Sequence, residues 1–152
     1  MDSKRADAAG QDPTSSPDPP GADIVRLAVR NSPYCRHLGM EVREIGPGYA
    51  TVGAEFRPEL VTVGATVHGG AIASLIDTAA MAAAWSDAEI SQEPRGASVS
   101  LAVTFMAPAR EENVEARAEV IRRGRMLVFC DVEVRTASGA TVAKGLVTYR
   151  LV

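Results

Sequence analysis

Residues 67–85 read Val67-His68-Gly69-Gly70-Ala71-Ile72-Ala73-Ser74-Leu75-Ile76-Asp77-Thr78-Ala79-Ala80-Met81-Ala82-Ala83-Ala84-Trp85, and this stretch decides the fold. From Gly70 onward nearly every residue is a strong helix former, and no proline interrupts the run. A helix apolar on nearly every side has no face to give to water, so it belongs in an interior. Ser74, Asp77 and Thr78 break its apolar character. It also falls short of the roughly 20 apolar residues that cross a bilayer, so the interior it needs is that of a protein.

The flanking sequence supplies the cover. Beyond a polar loop over 86–96, four β-like runs follow: Ala97 to Met106, Asn113 to Arg122, Met126 to Arg135 and Thr141 to Leu151. Pro108, Gly124 and Ser138-Gly139 mark the breaks between them. Val99, Leu101, Val103 and Phe105 alternate as strand residues do, and so do Val128, Cys130, Val132 and Val134. On the other side, Leu38 to Ile45 and Tyr49 to Phe56 flank the turn Gly46-Pro47-Gly48 and read as a hairpin. Residues 57–67 read mostly as loop. Ala22 to Asn31 places Ile24, Leu27 and Ala28 at helical spacing, a short amphipathic helix ending before Pro33. Residues 1–22, rich in Asp, Pro, Ser, Gly and Ala, bury too little apolar surface to offset their ordering entropy and read as a flexible tail. The expected organisation is that tail followed by one α+β domain over 23–152. In it an antiparallel sheet wraps one long central helix, with a short N-terminal helix in addition.

Composition narrows the function. A chain of 152 residues has room for one domain with a real core. A net charge of -3 and sparse aromatics argue against nucleic acid, and the basic cluster Arg122-Arg123-Gly124-Arg125 is too short to reverse that. Cys35, Cys130, His37 and His68 form no metal-ligand spacing, so no metal site is expected. The polar N-terminus lacks the apolar core of a signal peptide, which points to a cytoplasmic protein with no membrane partner.

Chemistry concentrates at the start of the buried helix. Gly69-Gly70 permits close backbone approach, and the first N–H groups of a helix have no internal acceptor and lie at its positive end. They can donate to an oxyanion. Asp77 is the anomaly, a carboxylate among Ile76, Ala79, Ala80 and Met81 that is costly to bury without partners. Its plain reading is a packing role through a backbone N–H or an arginine; its functional reading is an acid–base group. In a regular helix His68 and Asp77 stand about 13 Å apart along the axis and half a turn out of phase. If both serve one site, two copies of the chain supply them, as a two-fold dimer would allow.

The stretch His68-Gly69-Gly70-Ala71-Ile72-Ala73-Ser74-Leu75-Ile76-Asp77-Thr78-Ala79 resembles the His-Gly-Gly-x4-Leu-x-Asp-x-Ala signature of the PaaI-like hotdog thioesterases. The likeness continues through Leu38-Gly39-Met40, Gly96 to Leu101, Phe105 to Ala109 and Gly139 to Gly145. It implies an acyl-CoA thioesterase with Asp77 as general base or nucleophile. By the same likeness, the Gly69 N–H polarises the thioester carbonyl, His68 shapes the loop, and Ser98 orients water. Gly70 and Thr62 line the substrate site. The family often has Asn six residues before the histidine and Gly three before it, where this chain has Thr62 and Ala65. Arg123 and Arg125 are implied candidates for the CoA phosphates. No cofactor is implied beyond the CoA of the substrate, and the expected assembly is a homo-oligomer, a dimer or a dimer of dimers (homotetramer). Two other readings stay open, a non-catalytic acyl-CoA-binding hotdog module and an acyl-thioester dehydratase or hydratase.

Overall fold

The computed structural model describes residues 17–89 and 95–151. Two short helices, α1 (Ala22–Asn31) and α2 (Pro33–Leu38), precede the hairpin of β1 (Met40–Gly46) and β2 (Tyr49–Ala54). A 3-10 turn over Pro58–Leu60 leads to the long helix α3 (Gly69–Ser86). Strands β3 (Gly96–Phe105), β4 (Val114–Arg123), β5 (Leu127–Thr136) and β6 (Thr141–Leu151) complete the chain. All six strands form one antiparallel sheet in the order β1-β2-β4-β5-β6-β3. The sheet wraps α3, which is the hotdog arrangement the sequence implied.

The short helix α2 departs from the sequence reading, in which Pro33 only stopped α1. Proline at a first helical position gives up an N–H that would have no intrahelical acceptor, so it starts a helix as well as it blocks one. Here Ser32 caps α2 by accepting from the Cys35 N–H at 3.3 Å, and Gly39, at φ 66, ends it. Of the tail expected over 1–22, residues 1–16 lie outside the described part. The next few residues are held: Asp18 pairs with Arg26, and the Gly21 N–H donates to the Ser86 carbonyl at 2.8 Å. A Cβ on Gly21 would stand 1.9 Å from the Trp85 carbonyl oxygen, so only glycine lets the chain close over the end of α3.

The core is the contact between α3 and the concave sheet face. Leu75, Ile76, Ala79, Ala80 and Ala83 of α3 are buried, as are Ala116, Ala118, Cys130, Val132, Val134, Val142 and Ala143 of the sheet. Alanines along α3 let it lie close to the strands. The approach is tightest at Gly145, where a Cβ would come 2.6 Å from Ile76 Cγ2. The convex face carries the opposite alternation, and its charges pair, as in Arg117 with Glu44 and Glu119, and Lys144 and Arg135 with Glu133. Among the described residues, no helix is long and apolar enough to cross a membrane.

Gly145→Ala should destabilise the protein by about 1–3 kcal/mol through overpacking against Ile76, with partial recovery in Gly145→Ala/Ile76→Val, read from denaturant unfolding. Cys130 offers a pH test. Burial beneath α3 pushes its thiol up to about 11 from the ordinary 9.0, against a smaller pull from Arg123. The folded state therefore holds that proton more tightly than the unfolded one. The associated stability is complete below pH 9 and is lost as pH rises toward about 11. Tyr149, also raised by burial, adds a loss of the same sign at higher pH. Alkaline unfolding curves should thus fall less steeply over this window in Cys130→Ala than in the wild type; equal slopes would contradict the assignment.

Candidate active site

The site starts at the N-terminus of α3. His68 is the N-cap residue, in extended geometry (φ -63, ψ 135), and its Nδ1 accepts the Gly70 N–H at 2.8 Å. Its own N–H donates to the Leu60 carbonyl at 2.7 Å, which ties the loop down. With Nδ1 accepting, Nε2 carries the proton in the neutral ring. The Gly70 N–H is thereby occupied, and among the described residues nothing accepts the Gly69 N–H, the first donor of the helix. A Cβ on Gly69 would stand 3.3 Å from the Phe105 ring, so glycine is what lets β3 approach this N–H.

Two turns further on, half-buried Asp77 shares a face of α3 with Met81 and Trp85. The Ser98 hydroxyl donates to Asp77 Oδ1. A register shift between Ser98 and Ser100 in the pairing of β3 with β6 puts Ser98 and Leu101 on the same, concave side of the strand. Bulges of this kind re-aim side chains beside functional sites. Asp77 and Ser98 are thus brought together, as are His68, Gly69 and Gly70, while the two groups stay apart. α3 runs unbroken from Gly69 to Ser86, so Gly69 and Asp77 of one chain are about 12 Å apart along its axis.

The other sequence candidates lie elsewhere. Thr62 is exposed in the turn closed by the Val61–Val67 bridge, where its N–H donates to the Thr66 carbonyl at 2.8 Å. In that turn Gly64 takes the left-handed position, at φ 74, so Ala65 needs no glycine conformation. Arg123 reaches the far end of α3, donating to the Ala84 carbonyl at 3.0 Å, which is helix C-capping. Arg125 sits exposed in the β4–β5 turn beside Ile121, Met126 and Leu127. The structure also brings together two aromatic residues that sequence reasoning gave no role, Trp85 at the end of α3 and Tyr149 on β6. They meet edge to face with centroids 6.4 Å apart. Tyr149 is far from Asp77 in sequence and no motif marks it; only strand pairing, which sets it opposite Ser98, could have revealed it.

Strand β3 is a sheet edge, and Val103 alone among its residues is even half-buried. Val99, Leu101 and Phe105 on it are exposed, and Val63, at the tip of the loop before His68, is 91% exposed.

The sequence pattern of the thioesterase superfamily matches residues 64–143. The chain belongs to that superfamily. It is 28% identical over 139 residues to the medium/long-chain acyl-CoA thioesterase YigI of Escherichia coli K12, covering 83% of this chain and 90% of that protein. It is 26% identical over 133 residues to human acyl-coenzyme A thioesterase 13, covering 85% and 92%. The PaaI protein of the E. coli phenylacetic acid degradation operon shares the fold, with a TM-score of 0.78 at 20% identity over 88% of this chain and 94% of that one.

His68→Ala should lower stability by about 1 kcal/mol through loss of the N-cap, and His68→Asn should restore most of it, both read from urea unfolding at one protein concentration.

Proposed function

We propose that this thioesterase hydrolyses acyl-CoA to free acid and CoA at a site shared between two subunits. The observation that carries the reading is Asp77, a half-buried carboxylate in an otherwise apolar helix, with the Ser98 hydroxyl on one of its oxygens. Relatives named as acyl-CoA thioesterases support the substrate class.

In this reading Asp77 takes a proton from water as the water oxygen attacks the thioester carbonyl. The oxyanion is met by the Gly69 N–H and the positive end of α3 from the other subunit. The C–S bond then breaks, and the proton returns from Asp77 to the departing CoA sulfur. Direct attack by Asp77, through an acyl-enzyme anhydride, uses the same geometry. No resident cofactor is required, since a thioester is already an activated acyl group. Arg125, whose head is not engaged by α3, is the better placed of the two arginines for a CoA phosphate.

The unbroken helix and the bare edge of β3 support sharing. Two copies paired through β3 would cover Val99, Leu101 and Phe105 and satisfy the edge hydrogen bonds. That two-fold dimer is the working unit, and two dimers would form the homotetramer. Site of action and chemistry together fit a cytoplasmic enzyme on an acyl-CoA pool.

Free-thiol release from aromatic and straight-chain acyl-CoAs tests the reaction. Wild-type turnover should fall at least a hundredfold in Asp77→Asn with folding intact. Subunit mixing tests the sharing. Asp77→Asn and Gly69→Val, each inactive alone, should recover about a quarter of wild-type activity after joint refolding, because half the dimers are mixed and each holds one complete site. No recovery in verified mixed dimers would place both groups of each site in one chain.

A further inference from the structure

We propose that Tyr34 is a specificity-determining residue for the reaction, its ring walling the groove beside Asp77 and limiting the width of the acyl group admitted there. This rests on the thioesterase reading above.

Gly70, Ser74, Asp77 and Met81 follow one another at helical spacing and form a strip of α3 about 16 Å long. Gly70 is exposed and the other three are half-buried, so the chain leaves this strip open. One flank of it is β3, with Phe105 near Gly69 and Ser98 bonded to Asp77. The other flank is α2 and the start of β1. There the Tyr34 hydroxyl lies 2.7 Å from Ser74 Oγ, and the Thr78 hydroxyl meets Met40 Sδ at 3.4 Å. The strip is thus the floor of a groove with a wall on either side. Asp77 stands on that floor one turn on from Ser74, and side chains so spaced on a helix are neighbours, with Cβ atoms about 5–6 Å apart.

The protons available fix the direction of the Tyr34 bond. Ser74 donates its only hydroxyl proton to the Gly70 carbonyl at 2.8 Å, so its oxygen accepts from Tyr34. With the phenol proton held by Ser74, what Tyr34 turns to the groove is its apolar ring. That ring is 57% exposed, while its backbone is firmly set: Ser32 and Gly39 cap α2, and Cys35 and Leu38 bury it. The β3 pairing proposed above lies along the opposite flank of the strip. An apolar ring beside the carboxylate suits the acyl group better than the phosphates and amides of CoA. Held by Ser74, the ring narrows the groove; released, it swings about χ1 and widens it.

The test is acyl selectivity, read as the ratio of kcat/KM for phenylacetyl-CoA or benzoyl-CoA to that for the slender butyryl-CoA. Tyr34→Ala removes the wall and should raise both ratios roughly tenfold. Tyr34→Phe keeps the ring but loses the bond, and Ser74→Ala loses the acceptor. Each should raise the ratios several-fold, and the double variant no further, because both break the same bond. Unchanged ratios in folded Tyr34→Ala overturn the proposal, as does an equal fall on every thioester, the mark of a merely structural role. A fall in the ratios also overturns it, since the ring would then be a stacking surface for aromatic acyl groups. If the wild type hydrolyses none of these thioesters, the catalytic reading fails. The dissociation constants of the same acyl-CoAs, measured by calorimetry on wild type and Tyr34→Ala, then decide the wall by the same ratio.

Discussion

The burial of α3 governs the rest of the molecule. Its alanines, Leu75 and Ile76 leave almost no side of the helix suited to water, and one six-stranded sheet can cover only the side that faces it. The sheet meets this by curving and by bringing small residues to the contact, down to Gly145 against Ile76. The segment before α1 closes the C-terminal end of the helix, through the Gly21 N–H on Ser86. What remains uncovered is the flank toward β3, and that is where Asp77 stands.

The same constraint keeps the two groups of the proposed site apart within one chain. A long rigid helix separates its own N-terminus from a side chain two turns along it by a fixed distance, whatever the loops do. Gly69 offers a backbone donor at one place and Asp77 a carboxylate at another. The unpaired edge of β3, with Phe105 resting on Gly69 at one end and Ser98 touching Asp77 nearer the other, lies alongside both. A second copy across that edge would bring the complementary piece to each. In the proposed dimer the interface and the active site would be one piece of surface, so dimer stability and catalysis would rise and fall together.

Much of this was legible in the sequence because it depends on short-range patterns. The largely apolar composition of residues 70–85 requires a buried helix, alternation marks the strands to within a residue or two, and glycines beside His68 mark a helix start with open donors. Pro33 marked the end of α1 correctly, but its second role, starting α2 behind the Ser32 cap, went unread. The arginines around Gly124 read as a basic patch; the fold gives Arg123 to the C-terminus of α3 and leaves Arg125 in the turn.

By itself, then, the sequence determined the class of fold, the buried helix and the carboxylate within it, since each follows from the chemistry of residues within a few positions of one another. Tertiary structure alone decided the order of the strands, the hydrogen bond from Ser98 to Asp77, the pairing of Tyr149 with Ser98 and its contact with Trp85. Those depend on the register between β3 and β6, segments separated by two other strands. Register is set by how the whole concave face packs on α3, and no local stretch of sequence encodes that sum.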